Sequence, residues 1–170
     1  GADVVKIGAV PRAGAVQLVP PFYAYSGHRD MRRIRLDLKA PEGQAILRGL
    51  IGRADVVLEN FRPGTMERLG FGFEALRKKN PRLIYCSISG FGEGSPYANL
   101  AGLDLIAQGM SGLMSVTGDP RGGEPVKAGT PVTDMGSGMY GAIGILGALY
   151  HREKTGRGQQ VEATLLESCA

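Results

Sequence analysis

The sequence predicts an α/β fold built on a largely parallel sheet, and three observations carry that prediction. Short apolar runs of strand type alternate with segments of helical period along the chain. Two of those runs, residues 55–60 and 83–88, lack strict alternation, as in strands covered on both faces. Pro-Gly and Asn-Pro breaks at Pro63-Gly64 and Asn80-Pro81 separate the segments.

Taken in order, Ala2-Asp3-Val4-Val5-Lys6-Ile7 reads as the first strand. A Gly/Pro/Ala stretch without periodicity, residues 8–21, reads as a loop. Arg33-Ile34-Arg35-Leu36-Asp37-Leu38 alternates polar and apolar side chains, the period of a half-buried strand. Pro41 opens a helix at a position where its missing N–H costs nothing. Ala45, Ile46, Gly49, Leu50, Arg53 and Ala54 follow at helical spacing and predict its inward face. After the strand at 55–60, a short helix holds Met66 and Leu69, and a second over 73–79 is halted by Asn80-Pro81. The strand at 83–88 runs into a glycine-rich loop, Ser89-Gly90-Phe91-Gly92-Glu93-Gly94. A helix over 103–114 is predicted to pack through Leu105, Ile106, Met110, Leu113 and Met114. A loop spans 118–129, and a long helix then runs from about 134 to 154. Thr155-Gly156 ends it, with Arg152 and Lys154 in its last turn. Residues 159–165 read as a closing strand and 166–170 as the first turn of a helix.

Composition excludes several classes. With 43% hydrophobic and 21% charged residues among 170, the chain is globular rather than disordered. No apolar run reaches the roughly 18 residues of a membrane span; the richest, 139–150, is broken by Gly141, Gly144 and Gly147. The start has no signal-peptide pattern, so a soluble protein with no membrane partner is expected. Cys86 and Cys169 stand far apart without a CxxC, which argues against a disulfide scaffold or zinc and fits a reducing cytoplasm. His28 and His151 are the only histidines, and no metal is expected. A net charge of +4 suits a phosphorylated ligand, while the absence of Trp and of basic–aromatic interleaving argues against nucleic acid. A chain that starts in a strand and ends in a helical turn is expected to be part of a larger domain.

Four features bear on function. Gly136-Ser137-Gly138-Met139-Tyr140-Gly141 fits GxGxxG, but no proper strand precedes it, and the glycines continue as Gly144 and Gly147. A stripe for close helix packing is therefore preferred to a dinucleotide site. Asp134 stands where the long helix begins, either as its N-cap or as a carboxylate approachable by a substrate carbonyl with free backbone N–H groups nearby. Arg29, Arg32, Arg33 and Arg35 form a solvated strand edge or a docking point for phosphate. Glu59-Asn60-Phe61-Arg62-Pro63-Gly64 follows the carboxyl end of a strand, where open α/β sheets bind ligands. Its amide, ring and guanidinium suit a nucleotide-like group, and a plain Pro-Gly turn is the alternative.

Together these segments resemble the family III CoA-transferases, which include formyl-CoA transferase, carnitine CoA-transferase and α-methylacyl-CoA racemase. The likeness is carried by residues 1–7, by Leu36-Asp37-Leu38-Lys39 with Pro41-Glu42-Gly43, by Ala54 through Gly64, and by Glu67-Arg68-Leu69-Gly70. It continues in Asn80-Pro81-Arg82-Leu83-Ile84-Tyr85, Ser87-Ile88-Ser89-Gly90-Phe91-Gly92, Asp104-Leu105-Ile106-Ala107-Gln108 and Lys154-Thr155-Gly156-Arg157-Gly158-Gln159. The resemblance implies a Rossmann-like sheet with flanking helices, with residues 1–170 as part of the large domain of a two-domain protein. It also implies an interlocked homodimer. Acyl-CoA and a carboxylic acid would be the substrates, with no tightly bound cofactor.

The family's catalytic aspartate matches Asp134, which would attack the acyl-CoA carbonyl and pass through a mixed anhydride and an aspartyl-CoA thioester. Backbone N–H groups at the helix start would stabilise the oxyanions. Lys39, Asn60, Phe61 and Arg68 match the family's CoA contacts, and Asp104 matches an acidic position near the acyl group. Three segments depart from the pattern. Gly8 replaces an acidic residue, and His28-Arg29-Asp30-Met31-Arg32-Arg33 lacks the usual Asn and Lys. Leu103 stands where racemases carry a His, which removes the second base needed for proton exchange at the α-carbon. CoA transfer is thus the leading reading. An acyl-CoA racemase or epimerase, or a non-catalytic CoA-binding remnant, is the alternative. The family's opening strand and helix, its later shielding glycine loop and its second domain have no match here, so the 170 residues alone are expected to have little or no transferase activity.

Overall fold

A computed structural model describes residues 1–10, 27–119 and 121–170. It divides into two compact units, Gly1–Arg53 and Ala54–Ala170.

In the first unit, β1 (Val5–Ala9) pairs in parallel with β2 (Arg32–Leu36), Ile7 lying opposite Ile34. β1 takes in Gly8 and Ala9, the start of the expected loop, and from residue 11 onward that loop lies outside the described residues. The alternation of β2 holds, with Leu36 buried and its arginines outward. Arg32 pairs with Asp3 at 2.5 Å with both side chains solvent-exposed, which fits a solvated edge. Helix α1 (Pro41–Ile51) starts on Pro41 as the sequence dictates. Its inward face, however, is Gly43, Leu47 and Ile51, not the predicted Ala45–Ile46–Gly49 face, and Ile46 is exposed. Gly43 fixes that rotation: it abuts the backbone of Asp37 so closely that a Cβ would overlap the carbonyl oxygen.

The second unit is a three-stranded parallel sheet, β3 (Val56–Glu59), β4 (Ile84–Ser89) and β5 (Gln160–Thr164), in the order β3-β4-β5. The described strands thus form two parallel sheets where one was expected. β4 is central, with Ile84, Tyr85 and Cys86 almost wholly inaccessible. β3 lies at an edge of this sheet, and its side chains are half-buried with Leu58 exposed, so its run is not covered on both faces as expected. Helices α2 (Thr65–Arg68) and α3 (Phe73–Arg77) connect β3 to β4. Helix α4 (Asp104–Met110), a 3₁₀ turn (Leu113–Val116) and helix α5 (Val132–Thr155) connect β4 to β5. The predicted helix at 103–114 breaks because Gly112 adopts a left-handed φ of 85°. It also packs differently from the prediction. Ala107 and Gln108 are buried, while Leu105, Ile106 and Met110 face outward. After β5, residues 165–168 form turns in which Thr164 Oγ1 accepts the Glu167 N–H at 3.0 Å.

Helix α5 lies on β4 and β5 through its small residues. A Cβ at Gly141 would meet Ile88 at 3.3 Å, and one at Gly144 would come within 2.5 Å of Val161 Cγ1. Ala148 continues that face at 1% exposure. Gly136, Gly141 and Gly144 therefore serve close packing, inside a helix rather than at a strand–helix turn, while Gly138 and Gly147 of the predicted stripe meet nothing. Gly144→Leu is expected to destabilise the unit by about 3 kcal/mol, since Val161 must be displaced. Gly147, which meets nothing, is expected to accept Ala with a gain of up to about 1 kcal/mol. Urea unfolding midpoints of the two variants check this contrast. Gly156, at φ 73°, ends the helix as predicted. Among the described residues no helix is long and apolar enough to cross a membrane.

Candidate active site

The start of α5 presents backbone N–H groups that no preceding turn can satisfy. Pro131, with no side-chain hydrogen bond to give, is the N-cap residue, and Asp134 is the third residue inside the helix. Asp134 is therefore not the cap that one reading of the sequence made it. The capping carboxylate comes from α4: Asp104 Oδ1 accepts the Thr133 N–H at 2.9 Å, the Thr133 hydroxyl at 2.7 Å and the Asp134 N–H at 3.4 Å. Val132 N–H donates to Thr130 O and Met135 N–H to Pro131 O. The first-turn N–H groups are thus engaged, and the expectation that they stabilise an oxyanion fails on that ground.

Asp104 is held as an anion. Partial burial works against its charge, but hydrogen bonds from the Thr133 side chain and backbone, from Gln108 and from the Asp134 N–H outweigh it and bring its carboxyl below the usual aspartate value. Asp134 goes the other way. Its carboxyl is raised, first by partial desolvation and then by the Asp104 charge. It is exposed, and among the described residues its carboxylate has no hydrogen-bond partner, while its backbone carbonyl accepts from the buried Ser137 at 2.9 Å. The pair has an electrostatic division of labour: one carboxylate is fully bonded and structural, the other unpaired, raised and open to solvent.

The residues matched to CoA contacts fall on other elements. Asn60 and Phe61 follow the carboxyl end of β3, both exposed, with the Phe61 N–H held by Glu59 Oε2 at 2.8 Å. Burial, opposed by the Phe61 N–H and aided by the charges of Glu67 and Glu93, raises the Glu59 carboxyl. Arg68, exposed on α2, donates to Thr65 Oγ1 at 2.9 Å, and its guanidinium lies beside Gly64, whose φ of 77° only glycine takes readily. Lys39 is exposed in the first unit, its own N–H bonded to Asp37 Oδ1. The structure thus brings Asp104 to Asp134, and puts Asn60, Phe61 and Arg68 on one β3–α2 connection. A cavity of about 490 Å³ past the ends of β4 and β5, lined by Phe91, Ser95, Glu162, Thr164 and Glu167 among others, contains none of them. Among the described residues no group of three His, Cys, Asp or Glu side chains is placed to hold a metal ion.

Sequence reasoning missed Thr133 and Gln108, both wholly inaccessible. The available signal was Gln108 four residues after Asp104, a polar pair one turn apart on an otherwise apolar helix.

Fold and site define an α/β protein with an accessible, unpaired carboxylate in the first turn of a long helix packed on a parallel sheet. The chain belongs to CoA-transferase family III, whose family model matches residues 1–170. It is similar to the succinate–glutarate CoA-transferase of Agrobacterium fabrum, 44% identical over 184 residues covering 98% of this chain and 45% of the relative. It is also similar to a formyl-CoA:oxalate CoA-transferase of Streptomyces avermitilis, 42% identical over 171 residues, 97% of this chain and 41% of the relative. Among solved structures, a CaiB/BaiF family protein from Brucella suis superimposes with a TM-score of 0.92 at 38% identity, covering 99% of this chain and 47% of that one. The chain spans less than half the length of these relatives.

Proposed function

We propose that this chain is part of the large domain of an enzyme that moves CoA between an acyl-CoA and a free carboxylic acid, with Asp134 as the nucleophile. The observation that carries the reading is the contrast at the start of α5, where the Asp134 carboxylate is exposed and unpartnered beside the anionic, fully bonded Asp104. A raised carboxyl is the more nucleophilic for it. Its oxygen attacks the thioester carbon, the C–S bond breaks, and a mixed anhydride and CoA thiolate result. The thiolate attacks the aspartyl carbon, releasing the original acid and leaving an aspartyl-CoA thioester. The incoming carboxylate reverses these two steps and departs as the new acyl-CoA. Asn60, Phe61, Arg68 and Lys39, all exposed, are proposed CoA contacts, the basic ones meeting phosphate oxygens. Asp104 is given a supporting role, because its oxygens are occupied by protein donors. The acyl donor and acceptor acid belong to the same proposal as a class, thioester and carboxylate.

The test is chemical trapping. Incubating the full reading frame with acyl-CoA and hydroxylamine is expected to leave a hydroxamate on Asp134, read by peptide mass spectrometry. A hydroxamate on another residue, or none while exchange proceeds, overturns the assignment.

A further inference from the structure

Gln108 is wholly inaccessible, yet both ends of its amide are engaged. Its Nε2 donates to Asp104 Oδ2 at 2.6 Å, and its Oε1 accepts the Ala128 N–H at 2.8 Å. Chemistry fixes this orientation: an ionised carboxylate only accepts and a backbone N–H only donates, so the amide cannot be turned over. The two partners meet at one place. Asp104 caps α5, and residue 128 lies three residues before the Pro131 N-cap. Because Oδ2 is taken by Gln108, Oδ1 is left to Thr133 and Asp134. Burying a primary amide is costly unless both ends are bonded, so an aliphatic side chain would be the simpler filling here.

We propose that Gln108 is a positioning residue for the Asp134 chemistry: by gripping Asp104 and residue 128 together it fixes the direction in which the first turn of α5, and with it the Asp134 side chain, points. The inference rests on the transferase reading and extends it to a residue that no substrate touches. A leucine at 108 would fill the space but leave Asp104 Oδ2 and the Ala128 N–H unanswered, letting the cap and the incoming loop move independently. Small displacements of a reacting group carry large rate penalties.

Gln108→Leu and the unbranched Gln108→Met test this in the full reading frame, the second standing in if the first folds poorly. The expected result is a fall in kcat of about a hundredfold with KM for acyl-CoA within about twofold. Amide hydrogen exchange is expected to quicken at least about tenfold at Ala128 and Thr133 while Tyr85 and Cys86 in β4 stay protected. In an Asp104→Asn background the further loss from Gln108→Leu is expected to shrink, since both act through one carboxylate. A folded variant with unchanged kcat, or protection lost evenly across the sheet, overturns the proposal. Failure of the transferase reading has a separate mark, the absence of an Asp134 hydroxamate in the unsubstituted protein, and the exchange pattern is read without turnover.

Discussion

Asp134→Asn is expected to lower acyl exchange by on the order of a thousandfold or more while leaving the fold intact. The two side chains have the same shape, and the carboxylate has no hydrogen bond to lose among the described residues. Asp104 keeps its partners, and the repulsion between the two acids disappears, so the urea midpoint is expected to hold or rise slightly. What goes is the proposed nucleophile: a carboxamide does not attack a thioester, so on this reading neither anhydride nor aspartyl thioester would form. The proposed reaction needs Asp134 ionised. Its carboxyl is raised by partial desolvation and then by Asp104, so the acid limb of kcat/KM is expected above the usual aspartate value. Chromatographic rates of acyl-CoA exchange measure both effects. A variant retaining a tenth of the rate would mean that another group carries the acyl transfer.

The parallel α/β character was legible because strand runs and helical segments alternate locally, and because Pro41, Pro63-Gly64 and Gly156 mark boundaries by backbone restriction alone. Which face of each helix turns inward was less legible. In α1 the close approach of Gly43 to Asp37 overrides the apolar count, and in α4 the bonding of Gln108 draws a polar residue inside while Leu105 and Met110 stay out. A hydrophobic period cannot register a glycine contact or a buried amide. The site followed the same division. Asp134 could be placed near a helix start from its neighbours, but its partner arrives from an element about thirty residues earlier. A through-space cap leaves no local pattern, which is why the N-cap and open-carboxylate readings of Asp134 could not be separated until Asp104 was seen to hold the first turn.

Asp104→Ala is expected to cost about 3 kcal/mol of stability. A lost helix cap accounts for about 1–2 kcal/mol of that. The inaccessible Gln108 amide is left without its acceptor and the inaccessible Thr133 hydroxyl keeps only the backbone carbonyl of residue 104 at 3.4 Å, which adds about 1–3 kcal/mol. Asp104→Asn is expected to recover only part. Its Oδ1 can still accept from Thr133, but its amide nitrogen then faces Gln108 Nε2, donor against donor. Turning Gln108 over merely moves the conflict to the Ala128 N–H. The asparagine variant also removes the negative charge that raises Asp134, so its acid limb is expected to move to lower pH. A second pH effect has the opposite origin. Asp104 is depressed in the folded state, so its contribution is present above the unfolded aspartate value and fades as pH falls through the folded one. Acid unfolding followed by circular dichroism is therefore expected to show a loss below the usual aspartate range that Asp104→Asn lacks. If Asp104→Asn instead matches the unsubstituted protein in urea midpoint, acid unfolding and acid limb, the carboxylate is not the cap that holds α5, and the rigid placement of Asp134 needs another cause.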